Sequence, residues 1–192
     1  MIQVRLLCAV GALTALAAMV PGSALAQPTA RPIAYLKIDP TIQGSATDRA
    51  HPNWVEVTSF DFGSTQNIGS QSAGAGAGKV KFDSFTVTRK IDKASPSLFQ
   101  AATAGKHFPT VIVEEVRPSS GSGEVVIERI TLTDALVSRD SYTGNGAAAP
   151  TETLQFVFKT ITVETARQNN DGTAGTFSKV ADGWDIKTNS EI

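Results

Sequence analysis

Lys79-Val80-Lys81-Phe82-Asp83-Ser84-Phe85-Thr86-Val87-Thr88-Arg89-Lys90-Ile91 alternates apolar and polar residues at the period of a β-strand, but the alternation changes phase midway. Val80 and Phe82 keep one phase, and Phe85, Val87 and Ile91 keep the other. One extra residue near Asp83 or Ser84 has to be absorbed, and a β-bulge, which bends a strand and tightens its twist, absorbs it. Residues 153–165 make a similar shift, from Leu154, Phe156 and Phe158 to Ile161 and Val163. Long strands bent in this way are how a barrel or a strongly curved sandwich turns its corners.

Further alternating segments lie on either side. Residues 33–39 place Ala34, Leu36 and Ile38 opposite Tyr35, Lys37 and Asp39. Residues 54–60 set Val55 and Val57 against Glu56 and Thr58, after a polar stretch with Gly44, Asp48 and the breaker His51-Pro52-Asn53. Residues 111–116 and 125–137 supply two more strands, the second with Val126, Ile130, Leu132 and Leu136 on one face. The short Ser119-Ser120-Gly121-Ser122-Gly123 link between them reads as a hairpin. A last strand is expected near residues 184–187. Beyond residue 26 there are 20 Thr, 13 Val and 11 Ile against five Leu, a balance that suits pleated surfaces better than helices. The expected fold is mainly β, with two sheets closed into a small barrel.

One helix interrupts this pattern. Ser95 is expected as its N-cap, Pro96 fits the first helical position, and Gly105 can end it in the left-handed region. About ten residues are too few for a stable isolated helix, so Leu98 and Phe99 are expected to dock on the sheets.

The start of the chain reads as an export signal over residues 1–26. Arg5 gives a positive start, an apolar run follows to Val20, and Ala24-Leu25-Ala26 offers a cleavage site. The run of 15 apolar residues is short of the roughly 20 that span a bilayer. Residues 27–32 read as a polar tether and 33–192 as one domain. A secreted or periplasmic product without a membrane anchor is therefore expected. Translation from Met19 would instead leave the protein cytoplasmic before secretion. Cys8, the sole cysteine, falls within the signal, so the processed chain has no disulfide, thiolate metal site or cysteine nucleophile. It keeps 16 basic and 18 acidic residues, no excess with which to hold a nucleic-acid backbone.

Candidate chemistry is thin. Gly74, Gly76 and Gly78 before Lys79 invite comparison with a phosphate-binding loop, but Ala73 and Val80 stand where that motif needs Gly and Ser or Thr. A loop this long, from Gly63 to Lys79, is expected either to be plainly mobile or to serve as an arm that orders against a neighbouring subunit. His51 and His107, the only imidazoles, lie in no metal-ligand spacing. A triad built on His107, or a carboxylate pair among Asp39, Asp48, Glu114, Glu115, Glu128 and Asp134, is recognised by geometry, which a sequence does not give. Most of those carboxylates are expected on solvated strand faces. Trp54 and Trp184 can pack or stack on a sugar, which keeps open a binding module for a glycan or protein partner. No cofactor, metal or catalytic residue is expected.

Several stretches together resemble the haemolysin-coregulated protein (Hcp) family of type VI secretion tube proteins. They are Tyr35-Leu36-Lys37-Ile38-Asp39, Gly44-Ser45-Ala46-Thr47-Asp48 followed by His51, Glu56-Val57-Thr58-Ser59-Phe60 and Gly78-Lys79-Val80. Thr88-Arg89-Lys90-Ile91-Asp92-Lys93-Ala94-Ser95-Pro96, Gly105-Lys106-His107-Phe108-Pro109, Ile130-Thr131-Leu132 and Gly183-Trp184-Asp185-Ile186 continue in the family's order, so the likeness spans about residues 33–188. The resemblance implies a β-barrel with one side helix, hexameric rings stacked into a tube, effector cargo and no catalysis. It implies that Gly74, Gly76, Gly78 and Lys79 belong to a loop reaching a neighbouring subunit. It further implies that Ser95, Pro96, Gly105 and Lys106 frame a helix region contributing subunit contacts. An export signal departs from the family's cytoplasmic tube assembly and points to an exported relative with the same fold.

Overall fold

The structure is a computed structural model that describes residues 33–39, 41–66, 79–121, 123–144, 146, 149–178 and 183–192. The expected signal and tether, and Gly74, Gly76 and Gly78, lie outside the described residues.

In chain order the strands are β1 (Ala34–Asp39), β2 (Val55–Val57), β3 (Ser59–Asp61), β4 (Ser64–Gln66), β5 (Val80–Phe82) and β6 (Phe85–Lys90). The helix α1 (Ser95–Ala104) follows. Then come β7 (His107–Pro118), β8 (Glu124–Thr143), β9 (Thr151–Val157), β10 (Thr160–Gln168), β11 (Ala174–Ser178), β12 (Trp184–Asp185) and β13 (Ser190–Glu191). The β content and the single helix among the described residues match the sequence expectation. The strand β4, the five residues of β11 and the two of β13 were not legible in the alternation.

The expected pair of sheets closed into a barrel is corrected to one branched 11-stranded sheet and a separate β4–β5 ribbon. The reason lies in β8. This strand runs for 20 residues and serves two neighbours along one edge: Glu128–Thr133 pair with β10, and Leu136–Thr143 pair with β9. Its bend falls at Asp134, which takes φ 47°, and at a register shift between Val137 and Arg139. A strand turned in this way carries one sheet round a corner and so joins what would otherwise be two layers. From the first half the sheet continues through β7 and β1 to β2, and from the second through β9 and β6 to β3. Thr58 alone separates β2 from β3, and its backbone N–H donates to the Thr88 carbonyl at 2.9 Å.

The phase shifts seen in the sequence are real, but they mark strand breaks rather than bulges. At Asp83-Ser84 the chain leaves the β4–β5 ribbon and enters the main sheet as β6. At Phe158-Lys159 it passes from β9 to β10, crossing from one half of β8 to the other. The bend at Asp134 also changes the inward phase of β8, from Ile130 and Leu132 to Ala135 and Val137, so Leu136 leaves the expected face.

The main core is gathered inside this curve. Leu36, Val55, Val57, Phe85, Val87, Leu98, Phe108, Val111, Ile130, Leu132, Leu154 and Phe156 are all buried in it. Phe60 and Phe62 stack on Phe85 with ring centroids 5.9 and 5.5 Å away. A smaller cluster of Tyr35, Ala46 and Val116 forms on the opposite face of β1, roofed by Trp54 and Val126. With no thiol beyond Cys8, packing of this kind supplies the stability.

Candidate assembly surface

The helix α1 is short and carries no acidic first turn or basic last turn, so it depends on what it docks against. Leu98 and Ala101 are buried against the sheet, while Phe99, expected to dock with Leu98, points outward and is 54% exposed. Gly105 ends the helix at φ 60° as expected, and Lys106 N–H bonds the Ala101 carbonyl at 3.0 Å. Lys106 Nζ reaches Thr41 Oγ1 at 3.1 Å and lies over the Phe108 ring. Pro96 sits in the exposed first turn. Along the flank of α1 facing Thr41 and Ile42 runs a groove of about 390 Å³, lined on the helix by Ser97, Gln100, Ala101 and Ala104.

Ser95 does not cap the helix. The N-cap is Ala94 and makes no side-chain capping bond. Ser95 Oγ is drawn instead into a buried polar network. It accepts from Arg89 Nη2 at 2.8 Å and from the Asp92 N–H at 3.2 Å, and it donates to Glu152 Oε2 at 2.8 Å. These three bonds use the whole capacity of a hydroxyl. Arg89 and Glu152 have no exposure, and Arg89 Nη2 stands 2.5 Å from Glu152 Oε2. Asp92 closes the other side of the guanidinium at 2.7 Å. It also accepts the Ala94 N–H at 2.8 Å and the Ser45 N–H at 2.8 Å. Burial pushes the Asp92 carboxyl up, but its bonds to Arg89 and to backbone outweigh burial and hold it below the usual carboxylate range. Tyr142 OH lies 3.2 Å from the Ser95 carbonyl and 3.1 Å from Glu152 Oε1. The Arg89-to-Pro96 stretch is therefore distinctive for a physical reason: it anchors the start of α1 to β6 and β9 through a buried ion pair.

Asp140 lies at the rim of this network, beside Glu152 and Tyr142, with both carboxylate oxygens sealed from water. Burial, followed by the charge of Glu152, pushes its carboxyl up to about 6. A carboxyl whose folded pKa exceeds its unfolded value of about 3.9 stabilises the fold fully below that value and ceases to as pH rises through about 6. Charged Asp140 thus opposes folding at neutral pH. Asp140→Asn is expected to gain about 1 kcal/mol at pH 7.5, after discounting for partial solvent screening, and nothing near pH 4. Urea unfolding at the two pH values, at one protein concentration, measures this.

A second polar network holds the loop of residues 41–54 against the small cluster. Glu114, expected on a solvated face, is buried and bonds both His51 Nε2 at 2.9 Å and Arg129 Nε at 2.6 Å. Asp48 meets His51 Nδ1 at 2.7 Å. Gly44 admits the close return of this loop, since a Cβ there would come within 2.2 Å of the Trp54 carbonyl oxygen.

Of the residues weighed for chemistry, Asp48, His51 and Glu114 meet in this buried network, and His107 meets Asp134 apart from them. His107 Nδ1 lies 2.7 Å from Asp134 Oδ1, yet both side chains are more than half exposed and no hydroxyl bonds the other nitrogen among the described residues. Among those residues no group of three or more His, Cys, Asp or Glu is placed to hold a metal ion. Trp54 makes a T-shaped contact with His51 at 5.0 Å and Trp184 packs on the main core, each half-buried. No helix among the described residues is long and apolar enough to cross a membrane. Among the described residues the exposed large apolar side chains are Ile33, Ile91, Phe99, Tyr142, Val157 and Ile192, and three of them, Phe99, Tyr142 at 47% and Ile91 at 41%, lie on α1 or on segments adjoining the network at its start.

Comparison with known proteins agrees with this picture. The family model described as type VI secretion system effector, Hcp, matches residues 35–165. Protein hcp1 of Pseudomonas aeruginosa is 34% identical over 112 residues, 58% of this chain and 68% of the relative. A solved type six secretion system protein superposes with a TM-score of 0.75 at 30% identity, covering 83% of this chain and 98% of its own. Hcp1 from Salmonella typhimurium does so with a TM-score of 0.64 at 30% identity, covering 84% and 99%.

Proposed function

Because this chain belongs to the Hcp family of type VI secretion proteins, we propose that it is a ring-forming structural subunit, six copies to a ring, whose assembled form is its working state. The family is one of structural proteins and not of enzymes. The observation that carries the proposal is the family match itself, which extends from β1 into β10 and so includes the strands that form the curved sheet and the helix on its side. Three exposed apolar side chains, Ile91, Phe99 and Tyr142, beside a rigidly anchored helix support a role for this flank in subunit contact.

In this reading the curved sheet is completed as a shell at Thr58, where β2 passes into β3. Gly74, Gly76, Gly78 and Lys79 belong to a loop that reaches a neighbouring subunit. Ser95, Pro96, Gly105 and Lys106 keep the contact helix in place. Other secretion proteins or effectors are further partners. Residues 1–26 direct export and residues 27–32 tether the domain of residues 33–192, which makes the product an exported relative of the tube proteins.

Phe99→Asp tests the contact flank. Because Phe99 is 54% exposed, the substitution is expected to leave the circular dichroism spectrum and the unfolding midpoint of the monomer unchanged while shifting the sedimenting mass toward single subunits. An unchanged assembly mass would remove this flank from the interface.

A further inference from the structure

The loop of residues 41–54 leaves β1 and folds back over the face opposite the main core, where Ala46 and Trp54 cover Tyr35 and Val116. His51 lies at the centre of that contact and is 2% exposed. Its Nδ1 stands 2.7 Å from Asp48 Oδ1 and its Nε2 2.9 Å from Glu114 Oε2. An ionised carboxylate only accepts hydrogen bonds, so both ring nitrogens have to donate, and an imidazole donates from both only when it carries the extra proton. The two carboxyls are poor places for that proton. Glu114 Oε1 already accepts from Arg129 at 2.6 Å, and Asp48 Oδ1 already accepts the backbone N–H groups of Ala50 at 2.9 Å and His51 at 3.0 Å.

We propose that His51 is held as a buried imidazolium, and that this cation is a latch fixing the 41–54 loop to β7, closed at neutral and acid pH and released at alkaline pH. The inference does not depend on ring assembly.

The surroundings favour the cation from each element packed on it. Asp48 comes from the loop itself and Glu114 from β7. Tyr35 of β1 stacks on the imidazole at 4.3 Å with an interplanar angle of 8°, and Trp54 meets it edge-on. Behind them Arg129 of β8 holds Glu114 and lies 3.7 Å from Glu164 of β10, which gives charges alternating in sign from Asp48 through His51, Glu114 and Arg129 to Glu164. Glu124 of β8 and Glu56 of β2 act on Tyr35, and Lys37 Nζ of β1 lies over the Trp54 ring at 5.8 Å.

Burial alone would push the imidazole down; the bonds to Glu114 and Asp48 outweigh it and raise the pKa above the usual 6.5. The sign follows: stability contributed by a raised histidine is complete below about pH 6.5 and is lost as pH climbs through the folded value. Once neutral, His51 turns a lone pair toward one of two carboxylates. Glu114 keeps Arg129, so the imidazole is the partner that gives way, and the loop goes with it.

Long-range nitrogen–proton NMR of the full chain reads the ring directly. Both His51 nitrogens are expected to show protonated shifts at pH 7, with a midpoint above 6.5. Glu114→Gln is expected to lower that midpoint by about one unit, and Asp48→Asn to lower it also. Above the midpoint, the amides of Gly44, Ala46 and Asn53, which bond Asn53, Trp54 and Ala46 carbonyls, should lose at least about tenfold of their protection relative to intrinsic exchange, while β7 and β8 amides keep theirs. An unprotonated ring nitrogen at pH 7, or a midpoint that neither variant moves, would overturn the imidazolium. Loop protection that stays constant through the midpoint would overturn the latch.

Discussion

Arg89→Ala is expected to lower the stability of the fold by about 3–5 kcal/mol, because it leaves a fully buried carboxylate without its cation. Glu152 has no exposure, and besides Arg89 it bonds two hydroxyls, Ser95 Oγ at 2.8 Å and Tyr142 OH at 3.1 Å. Those dipoles cannot replace a guanidinium 2.5 Å away. The loss also unties Asp92, so the loop before α1 loses its hold on β6. The contrast that identifies the cause is the double variant Arg89→Met with Glu152→Leu. With both charges gone no fully buried Glu152 carboxylate is left without a cation, so the share of the loss that comes from it should return, while the share from Asp92 stays. Urea unfolding at one fixed protein concentration measures all the variants, since self-association would otherwise enter the midpoint. A single variant within about 1 kcal/mol of the parent would contradict a buried, structurally committed pair.

The second large effect belongs to the aromatic centre of the core. Phe85→Ala is expected to cost about 3–5 kcal/mol, the range for deleting a buried phenyl ring from a packed interior. Phe85 is fully buried, faces Phe156 across the β6–β9 ladder and carries Phe60 and Phe62 on its faces. The cavity would open at the Asp61–Thr86 end of the β3–β6 pairing, against the rings of Phe60 and Phe62. Phe85→Leu refills much of that space and should cost about 1–2 kcal/mol. The same unfolding experiment distinguishes the two, and equal losses for Ala and Leu would contradict a tightly packed centre.

The alternation of apolar residues made β1, β6, β7, β8 and β9 readable, because one face of each meets the core and period-two burial leaves its mark on the residue order. α1 was readable from Pro96 and Gly105, whose backbone preferences are local. What escaped was decided by partners far along the chain. Ser95 is a favourable capping residue by composition, yet Glu152, 57 positions away, takes its hydroxyl. A phase shift such as that at Asp83-Ser84 announces an extra residue without saying whether the strand continues or the chain changes sheets. The buried ion pair did leave a signal: Arg89 stands in the inward phase of Phe85 and Val87, Glu152 in that of Leu154 and Phe156, and the two are register partners. A charge in the inward phase of each of two strands, with opposite signs, is the pattern that would have found it. Glu114 and His51 left none, because a loop covers the outer face of β1 and β7 and buries what alternation places in solvent. Phe99 misled for the converse reason: its helical position suited docking, but the sheet takes only Leu98 and Ala101.

Self-association of a non-catalytic fold is the central claim, and the mass of the protein in solution addresses it most directly. Sedimentation of the protein at high micromolar concentration is expected to give a closed species of six subunits, with ring-shaped particles in the same sample. A strict monomer at that concentration would contradict the proposed working state.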